Sequence, residues 1–351
     1  MARTIHQLTP TFHDHDALGQ HTKELHCLIK ELGCRSYIWS SESRRSKPAR
    51  NAKRFRAKNS DARIIIYQAV TGSPLVEEIL KSEAKLVVNY HNITPSRYFD
   101  QWSPDLASDL RRGRRQLVEL SDRADLAITD SEYNAAELRS LGFSNVEVIP
   151  VLFRLQERGE QKIRVAPLQS GSQWLFIGRI VPNKAQHDLI TAFAAYRELY
   201  DSEARLVLIG AGLTSYKKAV EELISKLDLR RSIKIIDSVT EEEKRQYFSS
   251  SDVYVSLSEH EGFGIPLIEA MHYGLPVVAY DAAAVRETLN GEGLLLDFKT
   301  PVEVAEVVNE IFQDPNVFND LVSGGYRRSE EISLKANLEA YKESLLPLIS
   351  I

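Results

Sequence analysis

At 351 residues the chain is longer than one hydrophobic core usually supports, and its 43% apolar content is ample for burial, so two domains are expected. A net charge of −5 speaks against a general nucleic-acid binder. Cys27 and Cys34 lack His/Cys ligand spacing and read as reduced thiols, the N-terminus lacks an apolar leader core, and no apolar run approaches the roughly eighteen residues of a spanning helix. The expected location is cytoplasmic, at most peripheral at the inner face of a membrane.

Helices are expected at 18–32, 74–82, 105–121 and 131–141, with Gly33 and Gly142 as stops. Between them Asp61–Tyr67, Lys85–Tyr90, Ala124–Thr129 and Val146–Ile149 read as short buried strands, a pattern that calls for a parallel sheet covered on both faces. Polar, aperiodic 154–172 reads as the linker. The second half repeats the scheme, with strands at Gln173–Ile177, Ala204–Ile209, Ser232–Ile236, Val253–Ser256 and Val277–Ala279, a helix near 301–313 and a terminal helix from Leu334. The fold class is α/β with two doubly wound Rossmann-like domains, whose ligands belong at the carboxyl ends of the strands.

The segment from Ser258 to Tyr280 carries the most chemistry. Glu261 and Glu269 flank the turn Gly262-Phe263-Gly264-Ile265-Pro266, and Pro266 suits the first helical position, leaving amides of the turn pointing outward from a helix N-terminus. Glu269 is expected in that helix's first turn, placed to accept hydrogen bonds from a vicinal diol. Earlier, Gly178-Arg179 leaves a strand and Lys184 opens a helix, setting two cations where a diphosphate would sit.

Glu-x7-Glu around Gly-Phe-Gly-Ile-Pro, together with Gly178, Arg179 and Lys184, resembles the nucleotide-sugar site of the retaining glycosyltransferases of family 4. The resemblance covers nearly the whole chain and is strongest over 173–280. It implies the GT-B architecture, two Rossmann-like domains facing across a cleft: an acceptor-side domain over 1–165, a nucleotide-sugar domain over 166–330, and a terminal helix over 331–351 that packs back toward the first. It implies a retaining transfer of a sugar from a nucleoside-diphosphate donor to an acceptor hydroxyl, of the kind used in cell-surface polysaccharide or lipopolysaccharide assembly. Arg179 and Lys184 would neutralise the leaving diphosphate, Glu261 with the amides of Gly262, Phe263, Gly264 and Ile265 would hold the donor sugar, and Glu269 the ribose. Gly178 and the Gly210 turn would approach the diphosphate, and Val239 lies in the loop that reads the base. His91, at the end of a buried strand, would stand beside the donor sugar; Gly19 would border the donor phosphates, and Asp16 or Gln20 would face the acceptor.

Departures from the family pattern are visible. Many members have a glycine where Ala185 follows Lys184, and two adjacent glycines where only Gly19 stands. No cofactor is required in this reading. Asp14-x-Asp16 with its neighbouring histidines reads as a solvated loop, not a metal site, because Arg179 and Lys184 already provide countercharge. Gly210-Ala211-Gly212 lacks the third glycine of a dinucleotide fingerprint, Ser215 standing there. Ser131 reads equally as an inter-domain contact or as a helix cap.

The basic run Arg44–Lys58 and Arg111–Arg115 are either solvated surfaces or contacts to an anionic membrane carrying a lipid-linked acceptor, with Phe55 the one residue of the first run able to insert. Two other functions share the layout: a sugar-nucleotide 2-epimerase or hydrolase, which needs no acceptor, and a non-catalytic sugar-nucleotide binding protein. The base, the sugar, the acceptor and the oligomeric state are not legible in the sequence.

Overall fold

The computed structural model describes residues 3–13, 16–42, 47–56, 61–156 and 171–350. Two compact units result: Met1–Asp100, Pro104–Leu155 and Ile332–Ile351 form unit 1, and Gln101–Ser103 with Gln156–Glu331 form unit 2. The boundary expected at 165/166 lies outside the described residues.

Unit 1 is built on seven parallel strands, β1 (Thr4–Thr9), β2 (Arg35–Ser40), β3 (Arg50–Asn51), β4 (Ala62–Ala69), β5 (Lys85–Tyr90), β6 (Leu126–Thr129) and β7 (Val146–Val148), in the order β3-β2-β1-β4-β5-β6-β7. The helices are α1 (Ala17–Glu31), α2 (Leu75–Leu80), α3 (Pro104–Ser121) and α4 (Glu132–Ser140). Gly33 and Gly142 follow α1 and α4 with φ of +76° and +99°, the left-handed geometry that ends a helix. Ser131 proves to be the N-cap of α4, its hydroxyl accepting the Asn134 N–H at 3.2 Å. The central strands are buried on both faces, which is why they read as apolar runs: Ile64, Ile66, Val87 and Ile128 pack with Leu25 and Ile29 of α1. Tyr341, Leu345 and Ile349 of the C-terminal helix Leu334–Ser350 complete this core.

Unit 2 has six parallel strands, β8 (Gln173–Ile177), β9 (Arg205–Ile209), β10 (Ile233–Ile236), β11 (Val253–Ser256), β12 (Val277–Tyr280) and β13 (Leu294–Leu296), ordered β10-β9-β8-β11-β12-β13. Its helices are α5 (Gln186–Leu199), α6 (Thr214–Lys226), α7 (Glu241–Ser250), α8 (Ile265–His272), α9 (Val285–Leu289), α10 (Pro301–Gln313) and α11 (Pro315–Glu331). The order reverses between β8 and β11, which pair directly. In such sheets the loops leaving the two strands at the reversal diverge to opposite faces and leave a crevice at their carboxyl ends. The loop after β8 carries Gly178 to Ala185 and the loop after β11 carries Leu257 to Gly264, so both halves of the predicted motif emerge beside this one point.

Phe55 is 2% exposed and stacks obliquely on His6 and Trp39 with ring centroids 5.4 and 5.6 Å apart. It is a core residue of unit 1, so the insertion into a bilayer expected of it is not available. Residues 43–46 and 57–60, which include the ends of the basic run, lie outside the described residues, as do Asp14 and His15. Among the described residues no helix is long and apolar enough to cross a membrane.

Candidate functional site

In unit 2 the two loops at the strand reversal are joined by direct contacts. Lys184 Nζ lies 2.5 Å from Glu261 Oε1, with both side chains largely buried. The same lysine points its ammonium at the His260 carbonyl (3.4 Å), to which Asn183 Nδ2 also donates (3.2 Å), and Glu259 N–H donates to the Asn183 carbonyl (2.8 Å). A further lysine, Lys299, ties Asp188 of α5 (2.9 Å) to Glu259 (2.8 Å). The back of the turn is anchored as well: Ala284 N–H donates to the Glu261 carbonyl (3.2 Å), and the Thr288 hydroxyl donates to the Phe263 carbonyl.

Gly264 adopts φ +94° as the N-cap of α8 and Pro266 occupies its first turn, so the Gly262–Ile265 backbone turns sharply into the helix as the sequence requires. Glu269 is not in the first turn, where no acidic residue stands; it comes one turn later, because the helix starts at Ile265. Its carboxylate is held by Lys244 of α7, Nζ to Oε1 at 2.7 Å, and Lys244 also reaches Glu241 Oε2 at 2.9 Å. Burial pushes the Glu269 carboxyl above the usual carboxylate range, and Lys244 opposes that rise. Burial also pushes up Tyr254, whose hydroxyl donates to the Ile177 carbonyl at 2.9 Å beneath the two glutamates.

Arg179 is exposed at the mouth of the β8 loop, its carbonyl accepting from Gln186 Nε2 at 2.9 Å. Gly210 and Gly212 have a structural reason of their own: a Cβ on them would stand 2.1 Å from the Gly178 carbonyl oxygen and 1.9 Å from that of Ile180. The two loops are in backbone contact there, with Ile180 N–H donating to the Ala211 carbonyl (3.0 Å) and Leu213 N–H to the Ile180 carbonyl (3.1 Å). Ala185 is fully buried at φ +48°, ψ +42°, so this position keeps a left-handed backbone without a glycine. Val239 is half-buried in the loop before α7, whose start is fixed by a capping box between Thr240 and Glu243.

The residues expected from the first half lie in unit 1. His91 follows β5; its Nδ1 is 2.9 Å from Asp130 Oδ2 and its Nε2 is 2.8 Å from Gln68 Oε1. A carbonyl at the far end sets the sense of this chain. Gln7 Nε2 donates to the Thr22 carbonyl (3.2 Å), Gln68 Nε2 donates to Gln7 Oε1 (3.2 Å), and Gln68 Oε1 is therefore left to accept from His91 Nε2–H. His91 is thus tied at both ring nitrogens. Beside it His21, held well below its usual range by burial and then by His91, receives the Leu152 N–H at 3.0 Å. Asp16 is the N-cap of α1, its Oδ1 accepting the Gly19 N–H at 2.6 Å, and Gly19 itself is confined because a Cβ would meet the His13 carbonyl oxygen. Gln20 stands half-buried in the first turn of α1.

Sequence reasoning missed Lys244 and Lys299. Neither lies in a motif, and their partners are 25 and 40 residues away in sequence, which the hydrogen bonds record. Among the described residues, no group of three His, Cys, Asp or Glu side chains is disposed to hold a metal ion.

Two parallel-sheet α/β units with ion-paired Lys and Glu side chains at a strand reversal define the class: the fold is that of the GT-B glycosyltransferases. Sucrose-phosphate synthase from Thermosynechococcus elongatus superposes with a TM-score of 0.78 at 16% identity over 99% of this chain and 100% of that one. HepE of Anabaena, solved with UDP and glucose, gives 0.75 at 17% identity over 98% and 99%. Residues 160–328 match the family model of glycosyl transferases group 1. A D-inositol 3-phosphate glycosyltransferase of Kineococcus radiotolerans is 26% identical over 260 residues, 66% of this chain and 60% of its own length. The chain therefore spans less than two thirds of that relative. An MMP alpha-(1->4)-mannosyltransferase of Mycolicibacterium hassiacum is 31% identical over 157 residues, 43% of this chain and 37% of its own.

Proposed function

We propose that the protein is a family 4 glycosyltransferase that moves a sugar, with retention at the anomeric carbon, from a nucleoside-diphosphate-sugar to an acceptor hydroxyl, in cell-surface polysaccharide or lipopolysaccharide assembly. The observation that carries the proposal is the contact of Lys184 with Glu261 at the β8/β11 reversal, a cation for a phosphate next to an acceptor for sugar hydroxyls.

As the bond from the anomeric carbon to the diphosphate lengthens, negative charge builds on the leaving phosphate and positive charge on the sugar ring. In this reading Lys184 and Arg179, with the N-terminus of α8, meet the first. Glu261 accepts from the sugar's hydroxyls, and Glu269 from the ribose. The departing phosphate oxygen takes the acceptor's proton as the acceptor oxygen attacks from the same face, so no protein nucleophile is needed. In the family reading His91, tied to Asp130 and Gln68, serves the donor sugar, and Asp16 or Gln20 the acceptor. No cofactor is required. The basic run near Arg50 draws the protein to anionic headgroups by charge alone, since Phe55 is buried.

Thermal unfolding against UDP-, GDP-, ADP- and TDP-sugars without metal tests the proposal, because a ligand bound only by the folded state raises the apparent stability. A shift with one base and one sugar, followed by transfer to an acceptor with the anomeric configuration kept, supports it. Turnover of donor alone to a 2-epimer refutes it in favour of an epimerase.

A further inference from the structure

We propose that Lys244 is a positioning residue of the donor site: it occupies one oxygen of Glu269 and leaves the other, ionised and aimed, for the ribose of a nucleoside diphosphate. The ribose part of this inference rests on the function proposed above; the counter-ion part stands on the geometry alone. Lys244 comes from α7, which follows the loop holding Val239, and its ammonium bridges Glu269 Oε1 at 2.7 Å and Glu241 Oε2 at 2.9 Å. Its side chain is 18% exposed and that of Glu269 13%, whereas Glu241 is 40% exposed, so the inner contact is the desolvated one. Among the described residues Lys244 is the hydrogen-bond donor to Glu269, and it reaches Oε1. Oε2 remains for a ligand, and a carboxylate with one oxygen pinned presents the second in a fixed direction.

The need for a cation is physical. A carboxyl group withdrawn from water favours its neutral form, and a neutral carboxyl would offer a ribose hydroxyl a weaker, uncharged acceptor. The other titratable groups around Glu269 do not supply the charge. Tyr254 of β11 and Tyr273 at the end of α8 are both pushed up by burial and stay neutral, Glu241 and Glu261 carry the same sign as Glu269, and Arg245 engages Glu242 at 2.6 Å. Among the described residues, Lys244 of α7 is the cation in contact with Glu269.

The experiment follows the Glu269 carboxyl by 13C NMR titration in the nucleotide-free protein, assigned by difference with Glu269→Gln, in the parent, Lys244→Met and Lys244→Arg. Loss of an adjacent opposite charge moves the titration up by about 1 to 3 pH units in Lys244→Met, and Lys244→Arg restores it. If Lys244→Met does not fold, Lys244→Gln removes the charge while keeping a donor. An unmoved titration overturns the proposal. In parallel, binding of UDP, GDP and ADP is compared with that of their 2′-deoxy counterparts between pH 6 and 9. The proposal expects the parent to prefer a ribonucleotide by about tenfold or more, the loss of one good hydrogen bond to a charged group. It expects Lys244→Met to lose that preference at pH 6 and recover it as pH rises. A moved titration with no preference in the parent leaves Lys244 as the counter-ion and removes the ribose from Glu269, which is a failure of the functional reading and not of the ion pair.

Discussion

Replacing Lys184 by Met removes one charge from the proposed donor site while keeping the length of the side chain. In the ligand-free protein that charge is already paired, 2.5 Å from Glu261, and unit charges so placed attract by about 7 kcal/mol at an effective dielectric of 20, a gross term that desolvation largely offsets. On donor binding the lysine exchanges one anion for another, so ground-state affinity gains little from it. The transition state differs, because leaving-group charge grows beyond what the ground state holds. Losing one preorganised donor of this type costs about 2.7–4 kcal/mol, or about 10²–10³ in kcat. Donor KM is expected to move less than about tenfold, and Lys184→Arg to retain most of the rate. Initial rates of nucleoside-diphosphate release, with the donor selected by thermal shift, read both constants. A donor KM raised a hundredfold with kcat intact would refute the reasoning and make Lys184 a ground-state anchor.

Glu269→Ala is expected to act the other way, raising donor KM by about tenfold or more with a smaller effect on kcat; the same rate assay would contradict the ribose assignment if kcat alone fell. Gly212→Ala brings a methyl to within 1.9 Å of the Ile180 carbonyl oxygen, so the two loops must part: a loss of about 1–3 kcal/mol is expected in urea unfolding, with weaker donor binding, and a neutral result would show that the loops are free to separate. Asp201 tests pH dependence. Burial raises its carboxyl, but the N–H groups of Gly171 and Ser172, the Ser172 hydroxyl and the Glu203 N–H outweigh it and leave it below the ordinary value of 3.8. Its contribution is present above pH 3.8 and disappears as pH falls through the lowered value, so Asp201→Asn should lower Tm at pH 7 and flatten the acid limb below about pH 4. An acid limb of unchanged slope in that variant would exclude Asp201 as its source.

The strands at Lys85–Tyr90, Gln173–Ile177 and Val253–Ser256 have the same limits in the sequence reading and in the structure. Each has a buried run at its centre, with Lys85, Gln173 and Ile177 half-buried at the ends, and such a run is visible without knowing its neighbours. Strands β1 and β2 were not legible. They carry His6, Gln7, Ser36 and Ser40 inside the sheet, and a polar residue in a strand argues for solvent until its partner is known. Those partners are remote: Gln7 meets Gln68, and Ser36 meets His26 at 2.7 Å. The helix α11 was missed for a related reason. Gly324 and Gly325 look like breakers, yet a Cβ on Gly325 would press Met271 of α8 at 3.2 Å, so the glycine serves close helix packing.

At the candidate site, sequence alone marked Glu261, Glu269, Arg179 and Lys184 and the turn between the two glutamates, because glycine, proline and charge act through local backbone geometry, while Lys244 and Lys299 carry no local signal. It also determined the α/β class, since burial on both faces of a parallel sheet imposes its own pattern. Only the tertiary structure decided which charges meet: that Lys184 rests on Glu261, that Lys244 rests on Glu269, that His91 is tied at both nitrogens, and that Glu269 stands a turn deeper than its spacing suggested. Those pairings depend on strand order. The reversal between β8 and β11 brings residues 77 positions apart, Lys184's neighbour Asn183 and His260, to 3.2 Å. Strand order is settled by the packing of the whole sheet, and no local pattern records it.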